Sequence, residues 1–399
     1  MIMKKVCFVV QRYGMEVNGG AELQCRMIAE RMTPYYNIEV LTTKAIDYVT
    51  WKDEYKNEHE IINNVKVRRF SVEKQRKQAS FDSINYKFLQ GGITTYAEEM
   101  KWVEEQGPTV PELVHYLNEH KEDYAAFVFF TYLYYPTVMG MPMVKEKAIV
   151  VPECHDEPFL RMGMMKEVFL KAKAYFYNTM EERNLVERKF QTAHIKNQIG
   201  GVGVEVPENI SGQTFKEKYG VENYIIYVGR IDEGKNCHVM FEYFKEYKKR
   251  NASDLKLVLM GKAVMNIPKD SDIVSLGFVD EQDKFNGIAG AKLLLLPSEF
   301  ESLSIVVLEA MALKRPVLVN GLCDVVKGHC LKSNGGLFYK NYFEFEGTLN
   351  YILEKTDIAK VMGENGYKYV EENYQWDIII QKMTELIEFV DELNGDRDE

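Results

Sequence analysis

LLLLPSEFESLSIVVLEAMALKRP, residues 293–316, decides how the rest of the chain is read. Four leucines closed by Pro297 and Ser298 suit a strand buried on both faces, as in a parallel sheet, and residues 302–314 have the length and composition of a helix. Inside that helix stands Glu309, whose neighbours at i−4, i−3, i+3 and i+4 are Ile305, Val306, Ala312 and Leu313. No cation stands on that face, and burying the carboxylate unpaired would cost on the order of several kcal/mol. Something from elsewhere must meet it: a distant structural arginine, a capping contact, or a pair of ligand hydroxyls.

Outward from this stretch, strand-like and helix-like segments alternate. After it come RPVLVN and GGLFY; before it, from residue 223 on, NYIIYVG, LKLVLMG and DIVSLGF, with helices expected at residues 239–250, 281–290 and 342–354. A polar connector, residues 207–219, precedes this series. The first half repeats the pattern without repeating the sequence: strands at residues 4–10, 38–43, 65–70, 126–132, 147–152 and 174–179, and helices at 110–120, 159–171 and 180–190. Alternating β and α units imply a parallel sheet covered by helices, with ligands at the carboxyl ends of the strands. Two such α/β domains are expected, facing an interdomain cleft. The length of 399 residues fits two cores of about 200 residues better than one.

Composition narrows the function classes. The net charge of −10 argues against a general nucleic-acid binder, whose affinity would come from phosphate neutralisation. Six scattered cysteines without a CxxC pair suggest reduced thiols and a cytoplasmic protein; His329 beside Cys330 lacks the ligands of a metal site. The apolar run at residues 125–144 is broken by Pro136 and Pro142, so a buried strand is expected there and not a membrane span. Arg68, Arg69, Lys74, Arg76 and Lys77 form a basic run that is either solvated surface or a contact for an anionic lipid, at the inner face of a membrane, or for a phosphate-bearing acceptor. The tail from Asn394 is expected to fray.

Three loops after strands carry candidate chemistry. In YVGRIDEGKN, Arg230 and Lys235 stand at a strand's carboxyl end before a helix, a place for a di-anion such as pyrophosphate. In RYGMEVNGGAE, Gly19 and Gly20 open a helix and have no Cβ to keep an anion from the backbone. His155 follows the strand that ends near Val151. The glycine cluster GGVGVEVP is not a dinucleotide fingerprint, because Val206 stands at its third glycine position and no helix follows.

Together these segments resemble the retaining glycosyltransferases of family 4 over nearly the whole chain. The resemblance rests on Glu301 and Glu309 with seven residues between them, the following AMA and Pro316, GGAE at residues 19–22, His155, GVGVEVP, YVGRIDEGKN and Trp376 in YQWD. It implies the GT-B fold of two Rossmann-like domains: residues 1–206 on the acceptor side, 207–375 on the donor side, and a helix in 376–399 returning to the first domain. It implies transfer of a sugar, with retention, from a nucleotide-sugar donor to a glycan, lipid-linked or other glycoconjugate acceptor in cell-surface polysaccharide assembly. By the same resemblance Arg230 and Lys235 hold the diphosphate, Glu309 the ribose hydroxyls, and Glu301 the transferred sugar. The backbone of Ser304, Ile305 and Val306 lines the sugar and phosphate, Gly19 and Gly20 approach the phosphates, and His155 faces the donor sugar. No cofactor or metal is implied, since the paired acidic motif that would hold a divalent ion is not evident. The chain departs from the commonest pattern in having Ser302, Leu303 and Ser304 where Gly, Phe and Gly are usual. A nucleotide-sugar epimerase of the same fold and a noncatalytic nucleotide-sugar binder are the alternatives.

Overall fold

The computed structural model describes residues 3–17 and 19–395 and divides the chain into two units: Met1–Val202 with Asp377–Glu399, and Gly203–Trp376. Each is built on one sheet with helices on its faces. The first sheet contains β1 (Lys5–Val9), β2 (Asn37–Thr43), β3 (His59–Ile62), β4 (Val65–Phe70), β5 (Ala126–Phe130), β6 (Ala148–Val151), β7 (Ala174–Tyr177) and β8 (Lys196–Ile199), in the order β3-β4-β2-β1-β5-β6-β7-β8. The second contains β9 (Tyr224–Val228), β10 (Lys256–Met260), β11 (Ile273–Ser275), β12 (Leu294–Leu296), β13 (Val317–Asn320) and β14 (Gly336–Tyr339), in the order β11-β10-β9-β12-β13-β14. This is the doubly wound α/β architecture of the GT-B fold.

The leucine run behaves as its composition requires. Leu293 to Leu296 are buried at the centre of the second sheet, where β12 lies parallel to both β9 and β13. β5 is likewise wholly buried, and Pro136 lies in the helix Tyr135–Gly140 that follows it. Among the described residues no helix is long and apolar enough to cross a membrane. All six cysteines are free and buried.

Several expectations need correction. The first sheet is not all parallel: the edge strand β3 pairs antiparallel with β4 through a turn at Asn63 and Asn64, both left-handed. The expected connector contains a helix, Gly212–Tyr219, capped by the Ser211 hydroxyl and closed by left-handed Gly220; it buries only Phe215, so its composition looks like loop. The helix of the opening stretch is shorter than expected, Ile305–Ala312. The helix Trp376–Gly395 continues through the start of the tail expected to fray; residues 396–399 lie outside the described residues.

The basic run is mostly committed inside its own unit. Arg68 pairs with Glu39, the buried Arg69 with Glu60, and Lys74 with Glu105, while Arg76 donates to the carbonyls of Gln106 and Tyr48. Four of its five cations are therefore engaged within the fold.

Candidate functional site

In the second sheet the chain runs outward from β9 in one direction through β10 and returns on the other side at β12, so the topological switch lies between β9 and β12. The carboxyl ends of strands at such a switch point are the usual ligand position in open α/β sheets, and the loops leaving β9 and β12 start there. The β9 loop carries Arg230, Asp232 and Lys235; the β12 loop carries Glu299, Glu301 and Ser304. The sequence-predicted cations and Glu301 are thus brought together. Lys235 Nζ lies 2.7 Å from Glu301 Oε1, the Arg230 guanidinium pairs with the Asp232 carboxylate, and Asp232 also accepts from the Lys235 backbone amide at 2.7 Å. Asn236, left-handed at the start of the helix Cys237–Arg250, reaches across to the Pro297 carbonyl and to Glu299 Oε1, each at 3.3 Å.

Glycine permits this convergence at one place. Gly261, at the carboxyl end of β10, has φ 139°, and a Cβ built on it would lie 1.9 Å from the Gly229 carbonyl oxygen. Gly261→Ala is expected to destabilise the second unit by about 2–4 kcal/mol through strained φ and displacement of the β9 loop. Urea unfolding of the variant at neutral pH measures it; a loss below about 0.5 kcal/mol, the range of ordinary surface substitutions, would contradict the stated cause.

Ser304, Ile305 and Val306 form the entry to the helix Ile305–Ala312. Ser304 is left-handed, with φ 64° and ψ 76°, and gives the helix no side-chain cap. Its hydroxyl and that of Ser298 are buried without a protein partner. A serine held where glycine is easier, with an unused hydroxyl beside open helix amides, is a strained arrangement of the sort that persists at functional sites. Beneath it lies a residue whose role sequence reasoning missed. The fully buried His329 makes a 2.8 Å hydrogen bond from Nε2 to the Leu303 carbonyl, and its Nδ1 lies 3.1 Å from the Tyr369 hydroxyl. Its fixed geometry makes it a support of the Glu301–Ser304 loop.

Glu309 has a cation after all. Lys284, on the helix Glu281–Gly290, places Nζ 2.6 Å from Glu309 Oε1. The apolar neighbours along its own helix gave no sign of this, because the partner lies 25 residues earlier in the chain. Of the three explanations for a carboxylate on that face, the structure without ligand shows a distant cation, a lysine and not the arginine expected. Glu309 Oε1 is thereby fixed in orientation.

The remaining predicted residues belong to the first unit. Gly19 is the extended N-cap of the helix Gly20–Met32, and a Cβ there would lie 2.0 Å from Glu22 Oε2 and 3.1 Å from Arg12 Nη2. The space Gly19 leaves is therefore filled by the chain's own carboxylate, and only Gly20 faces open space. Glu22 and Arg12 are both buried and pair at 2.6 Å. His155 stands four residues past β6, half-buried, with Nε2 3.6 Å from Glu157 Oε2; Glu157 also accepts from the Tyr132 hydroxyl at 2.6 Å. Two separately noted motifs meet structurally: a Cβ at Gly203 would lie 2.5 Å from the Trp376 ring, and the Val204 amide donates to the Tyr374 carbonyl at 2.9 Å. GVGVEVP and YQWD thus form one packing contact in the second unit. Among the described residues no three His, Cys, Asp or Glu side chains are grouped as metal ligands.

Residues 212–369, nearly all of the second unit, match the family described as glycosyl transferases group 1. An uncharacterized glycosyltransferase of Methanocaldococcus jannaschii is 27% identical over 197 residues, 45% of this chain and 49% of that protein. A processive diacylglycerol alpha-glucosyltransferase of Acholeplasma laidlawii is 28% identical over 180 residues, 41% of this chain and 51% of that protein. The chain spans about half the length of these curated relatives. Among solved structures, a sucrose-phosphate synthase of Thermosynechococcus elongatus superposes with a TM-score of 0.70 at 15% identity, over 97% of this chain and 99% of that one. Anabaena HepE in complex with UDP and glucose gives 0.69 at 14%, over 96% and 99%.

Proposed function

We propose that this chain, whose second unit is a glycosyl transferases group 1 domain, moves a sugar from a nucleotide-sugar donor to a glycan or glycoconjugate acceptor, with retention, in cell-surface polysaccharide assembly. The observation that carries the reading is the meeting of Arg230, Lys235 and Glu301 at the β9/β12 switch point, beside the open start of the helix Ile305–Ala312. Nucleotide-sugar cleavage leaves a diphosphate on which negative charge grows. Two cations and a helix start are the groups that stabilise such charge, the cations trading part of their contacts with Asp232 and Glu301 for the diphosphate. We assign diphosphate neutralisation to this pair and not to a divalent ion.

Glu309 takes the ribose hydroxyls in this reading: Lys284 anchors one carboxylate oxygen, and Oε2 remains to accept. Glu301 exchanges part of its contact with Lys235 for a sugar hydroxyl when the donor binds, and the helix amides at Ile305 and Val306 take phosphate oxygen. Retention follows if the departing phosphate oxygen receives the acceptor's proton on the face it leaves, a route that asks for no second carboxylate nucleophile. That Anabaena HepE holds UDP and glucose on the same fold supports a uridine diphosphate donor as the first to try. The six buried, reduced cysteines support a cytoplasmic setting.

The test is ligand-induced stabilisation followed by product analysis. UDP, GDP, dTDP and CMP are each added to the full chain, and one of them at a hundred times its Kd should stabilise it by about 2.7 kcal/mol. Glu309→Ala should reduce that stabilisation while the chain remains folded. If none of the four nucleotides raises the unfolding temperature, the donor site is misassigned. Conversion of the donor to an epimer with no acceptor present would replace the transferase reading with the epimerase one.

A further inference from the structure

One helix holds the loop of His155 from both sides. The helix Met180–Phe190 follows β7 and opens on Thr179, whose hydroxyl accepts from the Glu182 amide at 3.2 Å. In a capping box a carboxylate at this position turns back to the N-cap amide. Glu182 reaches further. One of its oxygens accepts from the Cys154 amide and the other from the Asn178 amide, each at 2.7 Å. Cys154 precedes His155 in the loop that leaves β6, and Asn178 follows β7, the next strand in the sheet. The carboxylate therefore clasps the loops of two neighbouring strands. On the same helix face, two turns further on, Lys189 Nζ lies 3.1 Å from Asp156 Oδ1, on the other side of His155.

The two anchors differ in strength. Lys189 and Asp156 form a surface pair, with the Asp156 side chain 61% exposed, and such pairs contribute little. Glu182 is 1% exposed, and what meets its carboxylate is backbone N–H and not a cation. Burying a carboxylate is costly, and hydrogen bonds to an ionised acceptor are the strong ones that offset the cost. The loop so held is strained: Glu153, one residue before Cys154, is left-handed with φ 53°, a conformation that persists where its surroundings over-determine it. The other end of the clasp is fixed as well, since Asn178 Oδ1 accepts at 2.7 Å from Gln24 Nε2 on the helix Gly20–Met32.

We infer that Glu182 is a positioning residue: by clasping the Cys154 and Asn178 amides it sets the loop from which His155 acts. The inference rests on the transferase reading, in which His155 faces the transferred sugar, and it gives Glu182 itself no contact with substrate. Two substitutions grade the clasp. Glu182→Met keeps the length of the side chain and loses both hydrogen bonds, whereas Glu182→Gln can accept at one oxygen only and presents its NH2 group to the other amide, donor to donor. Burial raises the Glu182 carboxyl from 4.5 to about 8, against the opposing bonds from the Asn178 and Cys154 amides, so the variants are compared at about pH 9, where the wild-type group is mostly ionised.

The test separates positioning from general support of the fold. In the full chain, turnover is read as release of UDP from UDP-glucose, together with UDP affinity and the hydrogen exchange of single amides. In Glu182→Met the Cys154 and Asn178 amides should exchange at least about tenfold faster while those of β6 and β7 stay protected. Its kcat should fall about tenfold or more with UDP affinity unchanged, and Glu182→Gln should lie between it and the wild type. Lys189→Ala, which cuts only the surface pair, should change kcat by less than about twofold. In a His155→Ala background, Glu182→Met should cost less than about twofold more, because nothing is left for it to position. An equal loss with and without His155 would show that Glu182 supports the fold at large, and the inference fails. It fails equally if the Cys154 amide exchanges as in the wild type, if kcat is unchanged, or if His155→Ala turns over normally. Should Glu182→Met not fold, Glu182→Gln takes its place in the same cycle. A wild-type chain that binds no nucleotide and releases none would instead sink the transferase reading, and the amide exchange would still decide whether Glu182 sets the loop.

Discussion

Under the proposed transferase reading, Lys235→Ala is expected to lower sugar transfer by about 10²–10³-fold in kcat/KM, the loss that follows when one electrostatic contact to a developing charge is removed. Two effects act in the same direction. The ammonium that would neutralise the leaving diphosphate is gone, and Glu301, whose side chain is only 12% exposed, loses its 2.7 Å partner and stays as an uncompensated negative charge beside the same loops. Lys235→Arg keeps the charge but spreads it over a planar fork, so an intermediate loss is expected. In the double variant Lys235→Ala with Glu301→Ala, the second change should cost less than it does alone, because the repulsion is then removed with its source. Steady-state transfer measured with folded protein checks all three; near-normal turnover by Lys235→Ala would remove Lys235 from the site.

What the sequence made legible follows physical lines. The two doubly wound sheets, and the strands at their centres, could be read because a strand buried on both faces must be continuously apolar, as β5 and β12 are. The edges could not be read so well. β8, with Lys196, Asn197 and Gln198 among its four residues, and β3, with His59 and Glu60, are half-solvated and look like loop. The helices Gln78–Leu89 and Asp324–Ser333 escaped notice, and so did Tyr96–Gln106 despite its Thr95–Glu98 capping box, so a cap alone did not make a helix legible.

For the site the division is between position and partnership. Arg230, Lys235 and Glu301 were legible as loop residues at strand ends, and the sheet order brings them to one switch point. Their partners were not legible. Lys284 reaches Glu309 by tertiary packing, which no local spacing encodes, whereas Asp232 stands two residues from Arg230 and Glu22 three from Gly19, local pairings that the sequence carried without marking them as such. Ser304 was legible only as a departure from glycine. Its left-handed backbone shows why glycine would be the easier residue there, and His329 shows what holds the serine in place.

His329 supplies the largest pH effect to be expected in the second unit. With Nε2–H donating to the Leu303 carbonyl, Nδ1 has no proton and accepts from the Tyr369 hydroxyl, so the ring is neutral and both nitrogens are satisfied. Burial, helped by the nearby Lys332 charge and opposed by the Leu303 hydrogen bond, lowers its pKa from 6.5 to about 4. Because the folded value lies below the unfolded one, the unfolded chain binds the extra proton first as pH falls. The neutral ring's contribution is therefore complete above pH 6.5 and is lost between 6.5 and 4, a total of about 3 kcal/mol at 1.36 kcal/mol per unit. Protection of the β12 and β13 amides against hydrogen exchange, measured in the full chain between pH 7 and 4.5, should report this loss once the intrinsic exchange rate is corrected for. His329→Gln cannot titrate, and its amide can still donate to Leu303, so its pH dependence over that interval should be smaller by about 2–3 kcal/mol. His329→Leu should lose the pH dependence as well, but it orphans the Leu303 carbonyl and should weaken transfer more than the glutamine variant does. Equal pH dependence in wild type and His329→Gln would show that the ring does not titrate in this range. Equal transfer by the glutamine and leucine variants would show that the Leu303 contact does not position the loop on which Glu301 and Ser304 stand.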